Sequence, residues 1–542
     1  MASYRAAAVW QNFAPITSNT TTYTTSWDYG VPTAAINTVI AGDFTTTGSF
    51  TVNNLTVNAG KKLTVAAATS VTVGEALANN GTIIVENNAN LIQTAATNTN
   101  TGSGTAIVTR NSNSLKRLDY TMWSSPVTGT QTLLQFSPLT STGTSIRFYS
   151  YNPAINVYNT VDPTTTFIKG TGYLIRMPNE MPGNLGVTTP YYLGTATLPY
   201  PGVFTGTLNN GPITVTTVAE KFYAVGNPFP STISADEFLR GNATAGTLYF
   251  WRKTNGTAGT AYASYSLAGG AGTAGIKPNG TIQVGQGFIV KATTTALTFT
   301  NAMREAAPTS TQFLKTKNAI DRSRIWLGLS NANGSLNQAM IAYIDGATLG
   351  VDPGYDSKYF NDSKIALTSS IDGEEYIIQA RPAFDATDVV ALIFKTDIAG
   401  LYSIALDSFD GVFEKGQDVY LIDTVTGTET DLKTEAYSFT ANVGQDNTRF
   451  LVKYQKTLKV EIPTFDENSV KVYKNKGTIF VNATSKTIKT IEVYDVQGRL
   501  IAKQMNVNAT TANITNLKEV RQILIVKVRT EDNSVVSKKV LQ

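Results

Sequence analysis

From Asn53 onward, apolar and polar residues alternate in short bursts: "NNLTV", "KKLTV", "TSVTV", then "GTIIV" and "ANLIQ". Leu55, Leu63 and Val71 are eight residues apart, as are Val57, Val65 and Val73; Ile83 follows twelve after Val71, and Leu91 eight after that. Alternation at period two predicts strands with one buried face. A short fixed repeat with Asn and Gly at its corners predicts a β-solenoid, each strand stacked on the one a coil earlier, and roughly two or three coils fit between Ile36 and Gln93. A plain antiparallel meander fits the same pattern. The stretch holds few acids (Asp43, Glu75, Glu86), so it reads as a spacer and not as a polysaccharide-cleaving helix.

Further on, one pattern occurs twice. "YTMWSSPVTGTQTLLQF" (120–136) aligns with "FYAVGNPFPSTISADEF" (222–238) when Pro126 is set against Pro228. Tyr120 then matches Phe222, Phe136 matches Phe238, Ile146 matches Leu248, Phe148 matches Phe250 and Tyr149 matches Trp251. Each block closes on Gly-x-Gly-aromatic-aliphatic, "GTGYLI" at Gly170 and "GQGFIV" at Gly285. The pattern predicts an internal duplication; two unrelated hairpins with similar turn chemistry are the alternative. Neither Gly-x-Gly is a dinucleotide loop, because each lacks the third glycine and leads into a strand. Glycine there suits a bulge or a close backbone approach.

Residues 318–455 read as about eight strands separated by turns at sandwich spacing. Sustained 3.6-residue periodicity is scarce throughout. The chain is therefore expected to be all-β and multidomain: a short N-terminal β-solenoid (1–110), a duplicated β-rich region (111–307), a β-sandwich (308–456) and a C-terminal Ig-like β-sandwich (457–542).

Composition narrows the chemistry. The 542 residues include no Cys and no His, which excludes thiolate sites, disulfides, a Ser-His-Asp triad and the commonest transition-metal ligand. The net charge of +4 is too small to point to nucleic acid. Residues 1–307 hold 27 of the 82 charged side chains and residues 308–542 the other 55, which places a boundary near "REAAPTSTQFLKTKN". The last 85 residues carry 14 Lys/Arg against 8 Asp/Glu. The opening "MASYRAAAVW" lacks the apolar stretch of a signal peptide.

Two features are candidates for binding. Tyr149, Tyr151 and Trp251 suit a sugar-stacking platform, or the core of a sheet. Acidic loops carry Asp345, Asp352, Asp356 and Asp362, and then Asp407 and Asp410. Asp352 and Asp356 are candidate calcium ligands; turns capped by their own Asp side chains are the other reading. No other cofactor is expected, and no carboxylate pair is assigned as catalytic.

The final stretch contains "IKTIEVYDVQGRL", an Asn-rich middle, "QILIVKV" and the closing "KKVLQ". It resembles the C-terminal sorting domains of proteins exported by the type IX secretion system, most closely the variety called type C. The resemblance covers about 75 residues and departs at "EDNSVV", where the family often has Asp-Gly; Asn tolerates the same left-handed geometry. The preceding sandwich also looks like the module that commonly precedes such signals. The resemblance implies a cargo, its natural leader removed, passed through the outer membrane to the cell surface or medium; with no histidine and few acids in the front half, it is not expected to be an enzyme. It implies as partners the outer-membrane translocon, its shuttle barrel and a sortase-like peptidase. The residues that carry it are Tyr494, Asp495, Gly498, Arg499, Leu524, Val526, Lys538 and Lys539. A structural or adhesive role follows, with surface glycans or further copies of the chain as additional partners. A carbohydrate-binding protein is the alternative, and a glycan-active enzyme is disfavoured by the missing histidine.

Overall fold

The computed structural model describes residues 19–140, 145–179, 197–252, 259–272, 277–306, 322–456 and 465–541, apart from 476, 485, 516 and 519–521. The fold is all-β and multidomain. The chain divides into two compact units, Met1–Lys456 and Thr457–Gln542.

Three parallel sheets carry the front of the first unit. One stacks Thr20–Tyr23, Asn37–Ile40, Leu55–Val57, Leu77–Asn79 and Asn100–Thr101. The second stacks Phe44–Thr45, Lys62–Val65, Thr82–Val85 and the start of Thr105–Leu115. The third stacks Phe50–Val52, Ser70–Val73 and Asn90–Gln93. The chain visits the three in rotation, giving a β-solenoid of about four turns. The eight-residue period is the step from one side to the next: Leu55, Leu63 and Val71 lie on three different sheets of one turn. The turn-to-turn step is about twenty residues: Leu63 faces Ile83 and Val71 faces Leu91, twenty apart, while Leu55 faces Leu77, twenty-two apart. These side chains are fully buried in one aliphatic column. Ala68 and Asn88, also twenty apart, turn the same corner with left-handed φ of 62° and 65°, a conformation that Asn adopts more readily than Ala.

The solenoid stops where strand Thr105–Leu115 takes an antiparallel partner, Leu198–Leu208, on its far edge. The expected division at 110/111 falls inside this strand. Solenoid aliphatics share one core with Trp123, Phe136, Phe148 and Phe204, so the solenoid and the first repeated block are packed as one body.

The two blocks have the same antiparallel strand order. In the first it is Tyr120–Trp123, Tyr173–Arg176, Phe148–Asn152, Val157–Thr160; in the second, Lys221–Gly226, Gly287–Ala292, Thr244–Trp251, Tyr262–Ser266, with Gly269–Ala271 added at the edge. Tyr120 pairs with Arg176 and Phe222 with Lys291; Trp123 pairs with Tyr173 and Val225 with Phe288. Short helices capped by Thr132 and Ser234 follow the two prolines at the same offset. The expected pairing holds to this point and then slips by two. Phe148 faces Ile175 while Leu248 faces Val290, so Phe148 corresponds to Leu248, Tyr149 to Tyr249 and Tyr151 to Trp251. The connection from helix to strand is two residues shorter in the second block, and a two-residue slip keeps every side chain on its original face.

Residues 322–456 form one eleven-stranded sheet running from Thr428–Asp431 to Tyr437–Ala441. Gly334–Ile344 and Glu374–Arg381 pair in parallel. The sheet curls round a core that includes Ile325, Phe394, Tyr402 and Phe450. The expected boundary near residue 307 lies outside the described residues.

Among the described residues, the second unit is a seven-stranded antiparallel sandwich. One sheet holds Lys471–Asn475, Thr478–Asn482 and Thr511–Ile514; the other holds Leu500–Ala509, Ile488–Asp495, Ile523–Thr530 and Val535–Leu541. Its own core includes Ile479, Val481, Ile491, Val493 and Val528. The sequence places a short linker near "YQKTLKVEIPTF" (454–465), of which residues 457–464 lie outside the described residues.

Candidate functional site

The glycine motifs and the aromatic residues meet at one place, the contact between the two blocks. Trp123 bridges to Gln286, and Val225 bridges to Thr171. Since Trp123 corresponds to Val225 and Thr171 to Gln286, each block makes to the other the contact that it receives. Such reciprocity defines an approximate two-fold axis, as in an isologous dimer. Two hydrogen bonds repeat it: Ser124 N–H donates to Gly285 O at 2.9 Å, and Gly226 N–H donates to Gly170 O at 3.0 Å.

The axis explains both glycines of each motif. Gly170 and Gly285 have left-handed φ of 70° and 68°, where a Cβ is strained. At Gly172 an added Cβ would lie 2.8 Å from Val225 O, and at Gly287 it would lie 2.5 Å from Met122 Cγ.

The aromatic residues fill the seam beside this axis. Met122, Leu174, Tyr120, Tyr149, Tyr151 and Tyr158 of the first block meet Ala224, Ile289, Phe222, Tyr249, Trp251 and Tyr262 of the second, each with its counterpart across the axis. Tyr151 packs edge-on to Tyr158 at 5.2 Å between ring centroids, and Trp251 on Tyr262 at 5.3 Å. The phenols of Tyr158 and Tyr262 share a hydrogen bond of 2.8 Å, and burial pushes both well above the usual phenol range. Phe360, from the loop before strand Ala366–Ile371 of the curled sheet, wedges against Phe222, Tyr249 and Tyr262. Tyr149, Tyr151 and Trp251 are therefore half-buried packing residues that join the two blocks. Edge-to-face contacts between rings stabilise such a seam by about 0.5–1.5 kcal/mol each beyond simple burial.

The acids of the long loop cap turns and join segments. Asp352 accepts from Thr348 N at 2.6 Å and from the Thr348 hydroxyl at 3.1 Å. Asp356 is nearly fully buried and accepts from Asp352 N and Ala380 N, both at 2.6 Å. Burial pushes its carboxyl up to about 6 against the opposing pull of those two amides. Asp362 accepts from Tyr262 N at 2.8 Å, and Asp410 pairs with Arg324. Asp407 accepts from the Gln338 amide at 2.8 Å. Among the described residues, no three or more His, Cys, Asp or Glu side chains are grouped to hold a metal ion.

In the second unit, Asp495, Gly498 and Arg499 build one hairpin turn. The Asp495 carboxylate accepts from Gln497 N, Arg499 N and Arg499 Nε at 3.0, 2.9 and 3.0 Å, and Gly498 supplies φ of 80°. Those bonds hold the Asp495 carboxyl below the usual range. Leu524 and Val526 are fully buried core. Tyr494 donates to Glu492 at 2.8 Å and is half-buried, Lys538 is half-buried at the outer strand, and Lys539 is exposed.

One residue that the sequence pattern did not single out is Arg304. Its guanidinium is buried, without a carboxylate partner among the described residues, and donates to Leu91 O, the Ser231 hydroxyl, Asn210 Oδ1 and Asn301 Oδ1 at 2.6–3.3 Å. It fastens the third solenoid turn to the second block, and burial lowers it to about 9. The available signal was an adjacent Arg and Glu, within "TNAMREA", in a weakly charged half of the chain.

These features define an all-β protein in which a solenoid, a two-fold repeat and a curled sheet form one unit followed by a second, sandwich unit. Residues 14–454 match the family described as Domain of unknown function (DUF8693), and the chain belongs to it. Residues 458–542 match a second, Domain of unknown function (DUF8694). No curated protein matches. Among solved structures, similarity is found to "Biofilm associated protein - BSP domain", at 11% identity over 80% of this chain and 89% of that one, with a TM-score of 0.12. That TM-score is too low to define a shared fold.

Proposed function

We propose that this chain is an exported structural or adhesive protein of the cell surface or medium, without enzymatic activity, and that residues 457–542 are its delivery label for the type IX secretion system. The observation that carries the reading is the self-contained second unit: a sandwich with its own core, ending in the motifs that resemble sorting domains. Domain junctions fall where few contacts cross, and a label recognised as a unit needs such a junction. The first unit supports a scaffold role, because its conspicuous aromatic and acidic side chains pack, cap and join. In the natural host, a chain ending at Lys456 is expected to fold and to accumulate inside the cell envelope. Residues 457–542 grafted onto a foreign folded protein with an inner-membrane leader are expected to carry it outside. Normal export of the truncated chain would refute the label.

A further inference from the structure

An antiparallel sheet with one face on the core normally presents polar side chains on the other. The four-stranded sheet of the second unit does not. Pairing sets Leu500, Tyr494, Ile525 and Lys539 in one row across its outer face. Beside that row Ile523 faces Leu541, and these two are 46% and 68% exposed. Further along the face Lys503, Lys527 and Arg529 stand at outward positions beside Met505, Val535 and Ser537, and Glu492, the acid among them, is held by Lys503 at 2.8 Å.

We infer that this outer face docks a protein partner whose surface combines aliphatic side chains with acidic ones. The inference rests on the label reading and names the face of the second unit that is recognised. Charge complementarity selects the partner: a row of aliphatics flanked by cations is matched by apolar contacts ringed with carboxylates. The face has a single aromatic, Tyr494, and no Trp, whereas surfaces that enter a membrane interface are rich in Trp and Tyr. Addition of a partner strand is opposed at both sheet edges, by Lys538 and Lys539 on Val535–Leu541 and by Lys503 on Leu500–Ala509, since edge lysines disfavour strand pairing. Contact through the face remains.

The test uses the full chain in its natural host, with Ile525→Glu, Lys539→Glu and Lys539→Arg compared with deletion of residues 457–542. The side chains point outward, so the variants are expected to melt like the parent. Export should fall at least tenfold for Ile525→Glu and Lys539→Glu and persist for Lys539→Arg. Parent-like export of both Glu variants, with export lost on deletion, would overturn the docking face and leave the label standing. Export that survives the deletion would remove both. Sedimentation of the purified chain with phosphatidylglycerol vesicles, or a concentration-dependent dimer abolished by Ile525→Glu, would assign the face to lipid or to a second copy and would also overturn the proposal.

Discussion

Tyr158 and Tyr262 are 104 residues apart in sequence, yet their phenols meet at 2.8 Å across the approximate two-fold axis, each the counterpart of the other. The pair is a direct reporter of the seam. Replacing either by Phe leaves a phenol without its partner in a largely apolar site, at a cost of about 1–3 kcal/mol. The double replacement is expected to cost less than the sum of the two, because both polar groups are then gone. A double-mutant cycle by chemical denaturation checks this; additive losses would show that the hydroxyls do not interact.

The close approach at the axis makes a ranked prediction for glycine. A Cβ at Gly226 would lie 2.5 Å from Ser124 Cβ and 2.8 Å from Gly287 Cα. Both neighbours are held by the facing strands. At Gly287 the nearest obstacle is the Met122 side chain, which has rotamers to yield. Gly226→Ala is expected to destabilise by about 1–3 kcal/mol and Gly287→Ala by less. Equal melting temperatures for the two variants would contradict this account of the contact.

Asp356 gives a pH dependence with a definite sign. Its folded value is raised to about 6 by burial, so the folded state binds its proton more tightly than the unfolded chain does. The stability it contributes is fully present below about pH 4 and is lost as pH rises to about 6. Asp388 and Asp423 behave oppositely: Arg381 and Arg449 hold them below the usual range, so their contribution is lost below about pH 4. Asp356→Asn should remove the change between pH 4 and 6. It should also destabilise by about 1–3 kcal/mol at every pH, because one carbonyl cannot serve two amides. Chelator is expected to leave the parent's melting curve unchanged, since the carboxylates of Asp352 and Asp356 already accept from backbone amides.

Arg304→Met is expected to lower the denaturation midpoint of the first unit strongly, by the equivalent of about 3–5 kcal/mol, because four acceptors in a dry junction lose their donor. Arg304→Lys should recover little of it, since one ammonium cannot reach acceptors spread over Leu91, Ser231, Asn210 and Asn301. Parent-like stability of either variant would show that the junction is held by other contacts.

What the sequence revealed and what it hid follow from periodicity. Alternation made the solenoid sides visible, because Leu55, Leu63 and Val71 recur at one spacing. The twenty-residue turn was less visible, since irregular corners break the count at Gly74–Asn80. The duplication was legible from its prolines, its aromatics at matched offsets and its Gly-x-Gly motifs. The two-residue slip after the helix was not, because a strand pattern of period two looks the same when shifted by two. The roles of the candidate ligands could not be read from the sequence for a similar reason. An Asp that caps a turn and an Asp that binds calcium occur in the same kinds of loop, and Tyr151 and Trp251 would look alike on an open platform and in a closed seam. What separates them is the opposing surface, which lies about 100 residues away along the chain.

The reciprocal bridges also set an order of events during synthesis. Trp123 waits for Gln286, and Thr171 for Val225, so the first block can close only after most of the second has left the ribosome. Until then its tyrosine-rich face is uncovered, and long-range pairing of this kind is slow and prone to association. The solenoid, built from neighbours about twenty residues apart, has no such delay. A chain arrested near residue 210 would therefore hold ordered coils beside a sticky half-seam, and a holding chaperone that binds it should be displaced when the second block arrives.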